Sequence, residues 1–331
     1  MLDVSGMLSP HECNLSIGIV GGTPQGFMKK NLVLDQLGSL LPSNECKRLF
    51  HGRGGLVEGW QQINIELYGP VLWVIVYQEI DESELMSCLQ DMKGLVDDWG
   101  VEHIYIQRRH IRGNPVEIYY GNDSYLEIDF KVTEDGLEYW VNLGRNQNTG
   151  LFLDMANGRQ WLKQNSQGKS VLNLCAYTCS LGMSAAQGGA SAVCNIDMAK
   201  AVMKRGQQNF ALNNLSGRNT FIAQDIFKMI KKLNQKGPYD ILVADPPSFQ
   251  VKGFDVKKDY AKMLNKLKPS LAEGAVLMLC LNSPLLAPDF IHDLVAQEIP
   301  EALFIKRLDN PVVLADKDED SSLKVMLYQM P

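Results

Sequence analysis

The feature that constrains the fold most is a regular alternation of β runs and helices from residue 170 to the end of the chain. Apolar runs of strand length alternate with amphipathic helices, which is typical of a parallel sheet covered on both faces. Only a loop separates the last two runs, so we expect them to close the sheet as an antiparallel hairpin. The predicted strands are 170–174, 192–196, 220–223, 239–244, 275–281, 302–308 and 324–329. The predicted helices are 180–187, 199–212, 226–233, 257–268 and 288–297. The fold class is therefore α/β, with a seven-stranded doubly wound sheet.

The part of the chain before this pattern has a different character. Short β runs surround one helical stretch at 82–100, which predicts a small α+β domain. The β runs are 66–67, 71–77, 101–106, 116–120, 125–132 and 137–141, the last two forming a hairpin. Residues 1–42 are rich in Gly, Ser and Pro, and their weak periodicity predicts an extended or loosely attached arm. The predicted divisions are 1–44 for the arm, 45–136 for the small domain and 137–331 for the sheet domain.

Composition excludes several classes of protein. The longest apolar runs have seven residues, against the roughly 20 that cross a bilayer, so no membrane span is predicted. No Lys or Arg precedes Lys29, which argues against a secretory signal and for the cytoplasm. Seven cysteines without a CxxC pair indicate reduced thiols, and the five scattered histidines predict no metal site.

The net charge of −6 conceals two unlike halves. Residues 1–144 carry 10 basic and 21 acidic side chains, whereas residues 145–331 carry 22 and 17. Ten lysines against four aspartates in 228–268 form a stretch that suits phosphates. The alternative is that these lysines are ordinary solvated helix faces. The basic run 108–112 has the same two interpretations, a guide for a polyanion or a set of partners for nearby carboxylates.

Three aspartates follow three successive predicted strands of the sheet. Ligands of open α/β sheets lie beyond the carboxyl ends of the strands, so these residues mark the expected pocket. Asp197 follows the second strand, where an acid accepts the two hydroxyls of a ribose. Asp225 either accepts an amine from adenine or only caps the next helix. The third, Asp245, begins an Asp-Pro-Pro-Ser-Phe segment.

Two segments indicate which ligand and which reaction. The turn at 174–182 has one glycine, which leaves little provision for a pyrophosphate and favours S-adenosylmethionine over a nicotinamide dinucleotide. In the second segment Pro246 and its neighbouring proline lock the backbone at Asp245, and Phe249 offers a stacking face for a base. The alternative is a rigid turn with a core phenylalanine.

These motifs, together with Asn-Thr-Gly-Leu-Phe-Leu-Asp at 148–154 and Asn-Phe-Ala-Leu-Asn at 209–213, resemble a known family. The chain is similar to the bacterial large-subunit ribosomal RNA methyltransferases that modify cytosine C5 or guanine N7 on the class I S-adenosylmethionine fold. The specific match covers about 137–331, and 45–136 resembles that family's central domain only loosely.

The resemblance implies a role for each matching residue. Those at the methionine end of the donor would be Asn173, Tyr177 and Thr178, and those that cover the pocket would be Thr149, Gly150 and Asp154. Asp197 would hold the ribose, Asp225 the adenine, and Asp245 would face the transferred methyl group. Two positions depart from the family. Cys179 replaces a glycine and is expected to narrow the approach to the donor, and Arg159 is the nearest candidate for an acceptor-side arginine.

The acceptor atom depends on whether a cysteine is in reach. A ring nitrogen attacks the methyl group without covalent help, whereas cytosine C5 needs a thiolate added at C6. The family's cysteine position falls on Asn282, and Cys280 lies two residues earlier, where we expect a core residue.

The sequence therefore predicts an RNA base methyltransferase that acts on a nitrogen of large-subunit ribosomal RNA, with guanine N7 favoured. A cytosine C5 enzyme that uses Cys280 comes second. A small-molecule methyltransferase and a non-catalytic RNA- or nucleoside-binding relative remain as alternatives, and the oligomeric state is left open.

Overall fold

The computed structural model describes residues 24–40, 43–247 and 254–331, and its N-terminal half is built on a five-stranded sheet. In chain order the elements are helix α1 (Pro24–Gly38), strands β1 (Lys47–His51), β2 (Ile63–Tyr68) and β3 (Val71–Val76), helix α2 (Glu82–Val96), and strands β4 (His103–Arg108) and β5 (Val116–Tyr120). The strands lie in sequence order, and only β3 and β4 are parallel, because α2 makes the crossover between them.

Helix α2 shows why this half folds as it does. Asp81 caps its N-terminus by accepting the backbone N–H of Glu84. Its apolar side chains recur at helical spacing and are buried in one core with strands β2, β3 and β4. Gly100, at φ 74°, ends the turn that follows the helix, in the left-handed region that glycine favours.

Helix α1 corrects the interpretation of the first residues as a loose arm. Val33 and Leu37 are fully buried in the same core as α2, so residues 24–38 are an integral helix. The remainder of the predicted arm, residues 1–23 and 41–42, lies outside the described residues.

The second half contains a hairpin followed by the seven-stranded sheet. The hairpin consists of β6 (Asp129–Glu134) and β7 (Leu137–Asn142). Then come α3 (Ala156–Asn165), β8 (Ser170–Leu174), α4 (Ser180–Gln187), β9 (Ala192–Asp197), α5 (Lys200–Leu212), β10 (Arg218–Ala223), α6 (Ile226–Lys236), β11 (Tyr239–Ala244), α7 (Val256–Leu267), β12 (Leu271–Leu281), α8 (Asp289–Glu298), β13 (Leu303–Leu308) and β14 (Lys324–Gln329).

The order of the strands confirms the predicted fold class. The sheet runs β10-β9-β8-β11-β12-β14-β13, and β14 is antiparallel to both of its neighbours. The chain order reverses between β8 and β11, which places a topological switch point at their carboxyl ends. No helix among the described residues is long and apolar enough to cross a membrane.

The division into domains stays a prediction. A boundary between residues 136 and 137 would separate β6 from β7, which are paired along their whole length. The hairpin is also tied to helix α5, because the backbone N–H groups of Glu138 and Trp140 donate to the side-chain oxygens of Asn213 and Asn209.

Helix α3 was not predicted, and it carries a buried ion pair to the hairpin. The Arg159 guanidinium makes two hydrogen bonds to the Glu134 carboxylate, one of them at 2.6 Å, and donates a third to the carbonyl of Phe152 at 2.8 Å. Both charged side chains are buried, so each depends on the other to offset the cost of leaving water. Arg159 therefore holds the hairpin and the segment at Phe152 against α3.

This pair gives a prediction for stability. Arg159→Met leaves the Glu134 carboxylate buried without its cation, and we expect a loss of about 3–5 kcal/mol in the free energy of unfolding. Lys163→Met on the same helix is the matched control, because it removes an exposed pair with Asp135 and is expected to cost less than about 1 kcal/mol. Urea unfolding measures the loss of unfolding free energy in both variants. Equal losses would show that the buried ion pair stabilises the protein no more than the exposed pair does.

Candidate active site

Two of the three strand-end aspartates line one cavity at the carboxyl edge of the sheet. This sheet-edge cavity has a volume of about 200 Å³. Its lining residues are Cys175, Asp197, Met198, Asp225, Ile226, Phe227, Pro247, Phe254 and Asp259. Carboxylates and apolar or aromatic side chains share the wall, which is the composition that a nucleoside requires, with acceptors for hydroxyls and faces for a base.

Asp197 is fixed by the backbone around it. Its Oδ2 accepts the N–H of Tyr177 at 3.0 Å, and its Oδ1 accepts the N–H of Ala199 at 2.9 Å. Each carboxylate oxygen has capacity for about two hydrogen bonds, so both retain capacity toward the cavity. A carboxylate oriented in this way is suited to accept two vicinal hydroxyls.

Asp225 caps a helix, as one of the two interpretations of the sequence expects, while its role at an adenine amine stays a prediction. Its Oδ1 accepts the N–H of Phe227 at 2.8 Å and caps α6, and the same side chain lines the cavity. The rings of Phe227 and Phe254 lie nearly parallel, with planes 13° apart, and give the cavity an aromatic wall. The chemistry of these side chains fits an adenosine group with Asp197 at its ribose.

The turn after β8 is unusual because three residues other than glycine have positive φ. Cys175, Tyr177 and Cys179 adopt φ values of 52°, 48° and 66°. Such angles carry strain for residues with a side chain, and they persist only where surrounding contacts hold them. Here the contacts include the bond from Tyr177 to Asp197 and a bond from the Thr178 hydroxyl to the carbonyl of Gly150 at 2.6 Å.

The expectation that Cys179 narrows the donor site is wrong. Its side chain is fully buried and is packed in the core that includes residues of β7 and α5. A Cβ placed at Gly206 would lie 2.4 Å from the Cys179 sulfur, so the glycine on α5 provides the space that the thiol fills. Cys179 does not line the sheet-edge cavity.

Asp245 lines neither the sheet-edge cavity nor a second cavity, but residues of both are related to it. Pro247, two residues along, lines the sheet-edge cavity, and Asp154, which lines the second cavity, contributes to the pKa of Asp245. Burial, with a smaller contribution from Asp154, raises the pKa of Asp245 to about 7. Pro246 is buried, the locking of Asp245 by the two prolines stays a prediction, and Phe249 lies outside the described residues.

The second cavity, which we call the arginine cavity, lies between the two halves of the chain and has a volume of about 320 Å³. That volume is at the lower end of the roughly 300–1,000 Å³ of small-molecule sites. From the N-terminal half it is lined by Arg48, Arg53, Tyr77 and Arg109, among others, and from the C-terminal half by Thr149, Asp154, Asn282 and Asp316. Of these, the sequence named Thr149, Asp154 and Asn282 as site residues, and it offered Arg109 only as part of the basic run 108–112 that could guide a polyanion. It gave no signal for Arg48 or Arg53.

The segment 148–154 is anchored on both sides, which supports its predicted position over the pocket. The Thr149 hydroxyl lies 3.0 Å from the hydroxyl of Tyr68 on β2. Gly150, at φ 111°, is bonded to Thr178, and its missing Cβ would lie 3.0 Å from the carbonyl of Trp140. The segment therefore joins the five-stranded sheet to the turn after β8.

Seven of the described residues that the sequence named for the site line neither cavity, namely Gly150, Arg159, Asn173, Tyr177, Thr178, Asp245 and Pro246. Asn173 is fully buried and donates to the side-chain oxygen of Asn195 at 2.9 Å, beneath Gly182 of α4. Arg159 is held by Glu134 and does not serve as an acceptor-side arginine. The arginines that face the cavity come instead from the N-terminal half. The role of Asn173 at the methionine end stays a prediction.

Cys280 is placed in the core, as the sequence predicts. It is fully buried on β12, on the face that packs against residues of α3 and α4. Burial, and secondarily the carboxylates of Asp245 and Asp154, raises the pKa of its thiol well above the usual value. Asn282, two residues further, is exposed and lines the arginine cavity.

No group of three or more potential metal ligands occurs within the ranges that the structure describes. The groups present at the two cavities are carboxylates, guanidiniums, amides and aromatic rings. They suit recognition of an organic molecule by hydrogen bonds and stacking.

Comparison with known proteins gives consistent results. A model of the S-adenosylmethionine-dependent methyltransferase family matches residues 47–329. A protein of Psychrobacter cryohalolentis named ribosomal RNA large subunit methyltransferase K/L is 36% identical over 56% of this chain. The protein of that name from Alteromonas mediterranea is 41% identical over 48% of the chain. The chain spans only 25% and 24% of the lengths of these two relatives.

Solved structures show the same fold. A Streptococcus mutans protein described as a methyltransferase superposes with a TM-score of 0.79 and 24% identity, over 95% of this chain and 83% of its own. A methyltransferase structure in complex with SAH gives a TM-score of 0.80 at the same identity and coverage.

The packing of Cys179 against Gly206 predicts a coupled effect on stability. Gly206→Ala places a methyl group against the Cys179 sulfur, and we expect it to cost about 1–3 kcal/mol of unfolding free energy. In a Cys179→Gly background the same change meets no sulfur, and the better helix propensity of alanine should make it neutral or stabilising by up to about 1 kcal/mol. Urea unfolding of the unaltered protein, the two single variants and the double variant measures the coupling between the two positions. An equal loss of unfolding free energy from Gly206→Ala in both backgrounds would contradict the contact.

Proposed function

The chain belongs to the family of S-adenosylmethionine-dependent methyltransferases, and from that premise we propose that it methylates a ring nitrogen of a base in large-subunit ribosomal RNA, with guanine N7 as the favoured acceptor. The observations that carry the proposal are the sheet-edge cavity, which Asp197 and Asp225 line, and the arginine cavity, which is lined by Asp154, a contributor to the pKa of Asp245. One suits an adenosine group and the other accommodates a base. The names of the relatives support RNA as the substrate.

The sheet-edge cavity would hold the adenosine part of the donor. Asp197 would accept the ribose hydroxyls, Asp225 the adenine amine, and Phe227 would contact the face of the adenine ring. When bound, S-adenosylmethionine supplies a methyl group attached to a sulfonium sulfur. Once the methyl group is transferred, that sulfur leaves as a neutral thioether. The protein's contribution is to align this methyl group with the acceptor, since the displacement requires little else.

Asp245 would lie beside the sulfonium. Its carboxylate form stabilises a positive charge, while burial, which raises the pKa of Asp245 to about 7, makes the charged form costly. The cationic donor would therefore favour the ionised carboxyl. The neutral product lacks that attraction, which aids its release.

Two observations favour a nitrogen acceptor over cytosine C5. The C5 route needs a thiolate that reaches the base, and the Cys280 thiol is fully buried with a raised pKa. The residue at the position of the family's cysteine is Asn282, which faces the arginine cavity without a nucleophilic group.

The arginine cavity also favours guanine. The edge of guanine that carries N7 and O6 presents only acceptors, and arginine is its commonest specific partner. Arg48 gives the cavity a donor of this kind, and its hydrogen bond to O6 would leave the N7 lone pair free to attack the methyl group. Cytosine would present an amino group, which calls for an acceptor.

The lysine-rich stretch adds support for a polyanionic substrate. Lys228, Lys231 and Lys232 on α6, with Lys257 and Lys258 on α7, are all exposed. Both helices begin at the sheet-edge cavity, so a strand that enters the active site would pass near their charge. A small-molecule substrate would have no use for such a surface.

The pKa of Asp245 yields a pH prediction. Above pH 7 the carboxyl is mostly ionised and attracts the sulfonium, whereas below pH 7 it is mostly protonated and this attraction is lost. The affinity for S-adenosylmethionine relative to S-adenosylhomocysteine should therefore rise between pH 6 and pH 8. Calorimetric titration of both compounds measures the ratio. Asp245→Asn should flatten its pH dependence, and a flat ratio in the unaltered protein would contradict this role.

The choice of acceptor atom is tested by product analysis. Deproteinised bacterial large-subunit ribosomal RNA is incubated with the protein and S-adenosylmethionine, and the modified nucleoside is identified by mass spectrometry. We expect 7-methylguanosine, formed equally by Cys280→Ser, because the buried thiol takes no part. Formation of 5-methylcytidine, with loss of product in Cys280→Ser and a trapped covalent adduct, would establish the C5 route instead.

A further inference from the structure

Tyr77 contacts two positively charged side chains at the arginine cavity. It follows strand β3, and its ring centroid is 4.5 Å from the guanidinium carbon of Arg53 and 5.4 Å from that of Arg109. All three residues line the cavity. Each cation is attracted to the ring, but two like charges held on one ring repel each other.

The arginines of the cavity differ in how their charge is balanced. Arg48 makes two hydrogen bonds to the Glu66 carboxylate, at 2.9 and 2.6 Å, so its charge is compensated. Arg109 donates only to neutral groups, the side-chain oxygen of Gln107 and the carbonyl of Gln147. Within the described ranges no carboxylate lies within 4.0 Å of the guanidinium of Arg53 or Arg109.

The acidic side chains of the cavity do not change this balance. Asp316 lies 3.4 Å from the ring nitrogen of His51. The charge of Asp154 contributes to the pKa values of Arg48 and Asp245. The guanidinium groups on Tyr77 thus form a site of two uncompensated charges, in a half of the chain whose formal charge is otherwise strongly negative.

The basic run 108–112 is divided by the fold in a way that supports this site. Arg108 is buried and bonded to Glu82 and Glu117, which is a structural role. Arg109 faces the arginine cavity, and Arg112 is exposed and does not line the cavity. Only one arginine of the run therefore faces the place where a substrate would bind.

We propose that Arg53 and Arg109, stacked on Tyr77, bind a backbone phosphate of the RNA strand next to the nucleotide that is methylated. The proposal rests on the proposed function, because it takes RNA as the substrate. A base that enters the arginine cavity brings a phosphate on each side, and guanidinium groups bind phosphates with paired, charge-assisted hydrogen bonds. Stacking on one ring fixes both groups in advance, which lowers the entropic cost of binding.

Salt dependence of RNA binding tests this assignment. Filter binding of deproteinised bacterial large-subunit ribosomal RNA is measured between 50 and 300 mM KCl, at saturating S-adenosylhomocysteine. Each phosphate contact contributes about 0.7–0.9 to the slope of log affinity against log salt. Because both arginines share one phosphate, we expect Arg53→Gln and Arg109→Gln each to reduce the slope by up to that amount and to raise the KM for RNA while kcat stays nearly unchanged.

Arg112→Gln is the matched control, since it removes the same charge from an exposed position of the same run outside the cavity. It should alter the slope much less than Arg109→Gln does. Tyr77→Leu provides a second comparison, because it keeps both charges but removes the ring that orders them, and it should weaken RNA binding while leaving the slope nearly constant. Affinity for the methyl donor should be the same in all four variants.

The outcomes separate this inference from the proposed function. If the protein methylates the RNA but the Arg53→Gln and Arg109→Gln slopes match those of the unaltered protein or of Arg112→Gln, the phosphate site is overturned and the function stands. If the RNA is bound with the expected slope changes but no methylated base forms, the proposed function fails and the phosphate site stands. Failure of the unaltered protein to bind the RNA would overturn the phosphate site.

Discussion

The carboxylate of Asp197 is the interaction on which the active site depends. It lies at the end of β9 and accepts backbone N–H groups from Tyr177, in the turn after β8, and from Ala199, ahead of α5. It therefore fixes two adjacent strand ends relative to each other and keeps part of its hydrogen-bonding capacity directed at the cavity. The positive φ of Tyr177 is sustained by this bond and by neighbouring contacts, so the strained turn and the binding carboxylate are parts of one arrangement.

A second set of polar contacts joins the donor side to the acceptor side. Thr178 in the same turn donates to the carbonyl of Gly150, and the preceding residue of that segment, Thr149, lies within hydrogen-bond distance of Tyr68 of the five-stranded sheet. Arg159 donates a hydrogen bond to the carbonyl of Phe152 in this segment. Because these bonds converge on the segment 148–154, Asp154 is positioned close enough to Asp245 to affect its pKa. The pKa of Asp245, whose carboxyl would face the methyl group, thus depends on Asp154 of this segment as well as on its own burial.

The sequence predicted the large sheet well because its signals are local. Strands β8, β11 and β14 have the predicted bounds, since each is a short apolar run flanked by polar or turn residues. The strand-end aspartates followed from the same pattern, and two of them line the sheet-edge cavity. Helices α1 and α3 were missed because their few buried positions give weak periodicity, and the contribution of α3 rests largely on a buried ion pair with Glu134.

The arginine cavity was not predictable because its residues are far apart in the sequence. Arg53, Tyr77 and Arg109 belong to different loops of the five-stranded half, and only Arg109, within the basic run 108–112, had a signal in the sequence. The sequence could not predict the direction of the Cys179 side chain either, because that direction depends on a left-handed turn and on a glycine in the neighbouring helix. Local patterns therefore indicated where the donor would bind, while the acceptor side required the tertiary structure.

The central claim is that the sheet-edge cavity binds the methyl donor through Asp197, and calorimetric titration of Asp197→Ala with S-adenosylmethionine tests it most directly. Loss of two hydrogen bonds to a charged group should weaken binding about 100-fold or more. Asp81→Ala is the matched control, because it also removes a carboxylate that accepts a backbone N–H, but on α2 in the other half of the chain. Its affinity should equal that of the unaltered protein. Tight binding by a folded Asp197→Ala protein would contradict the account.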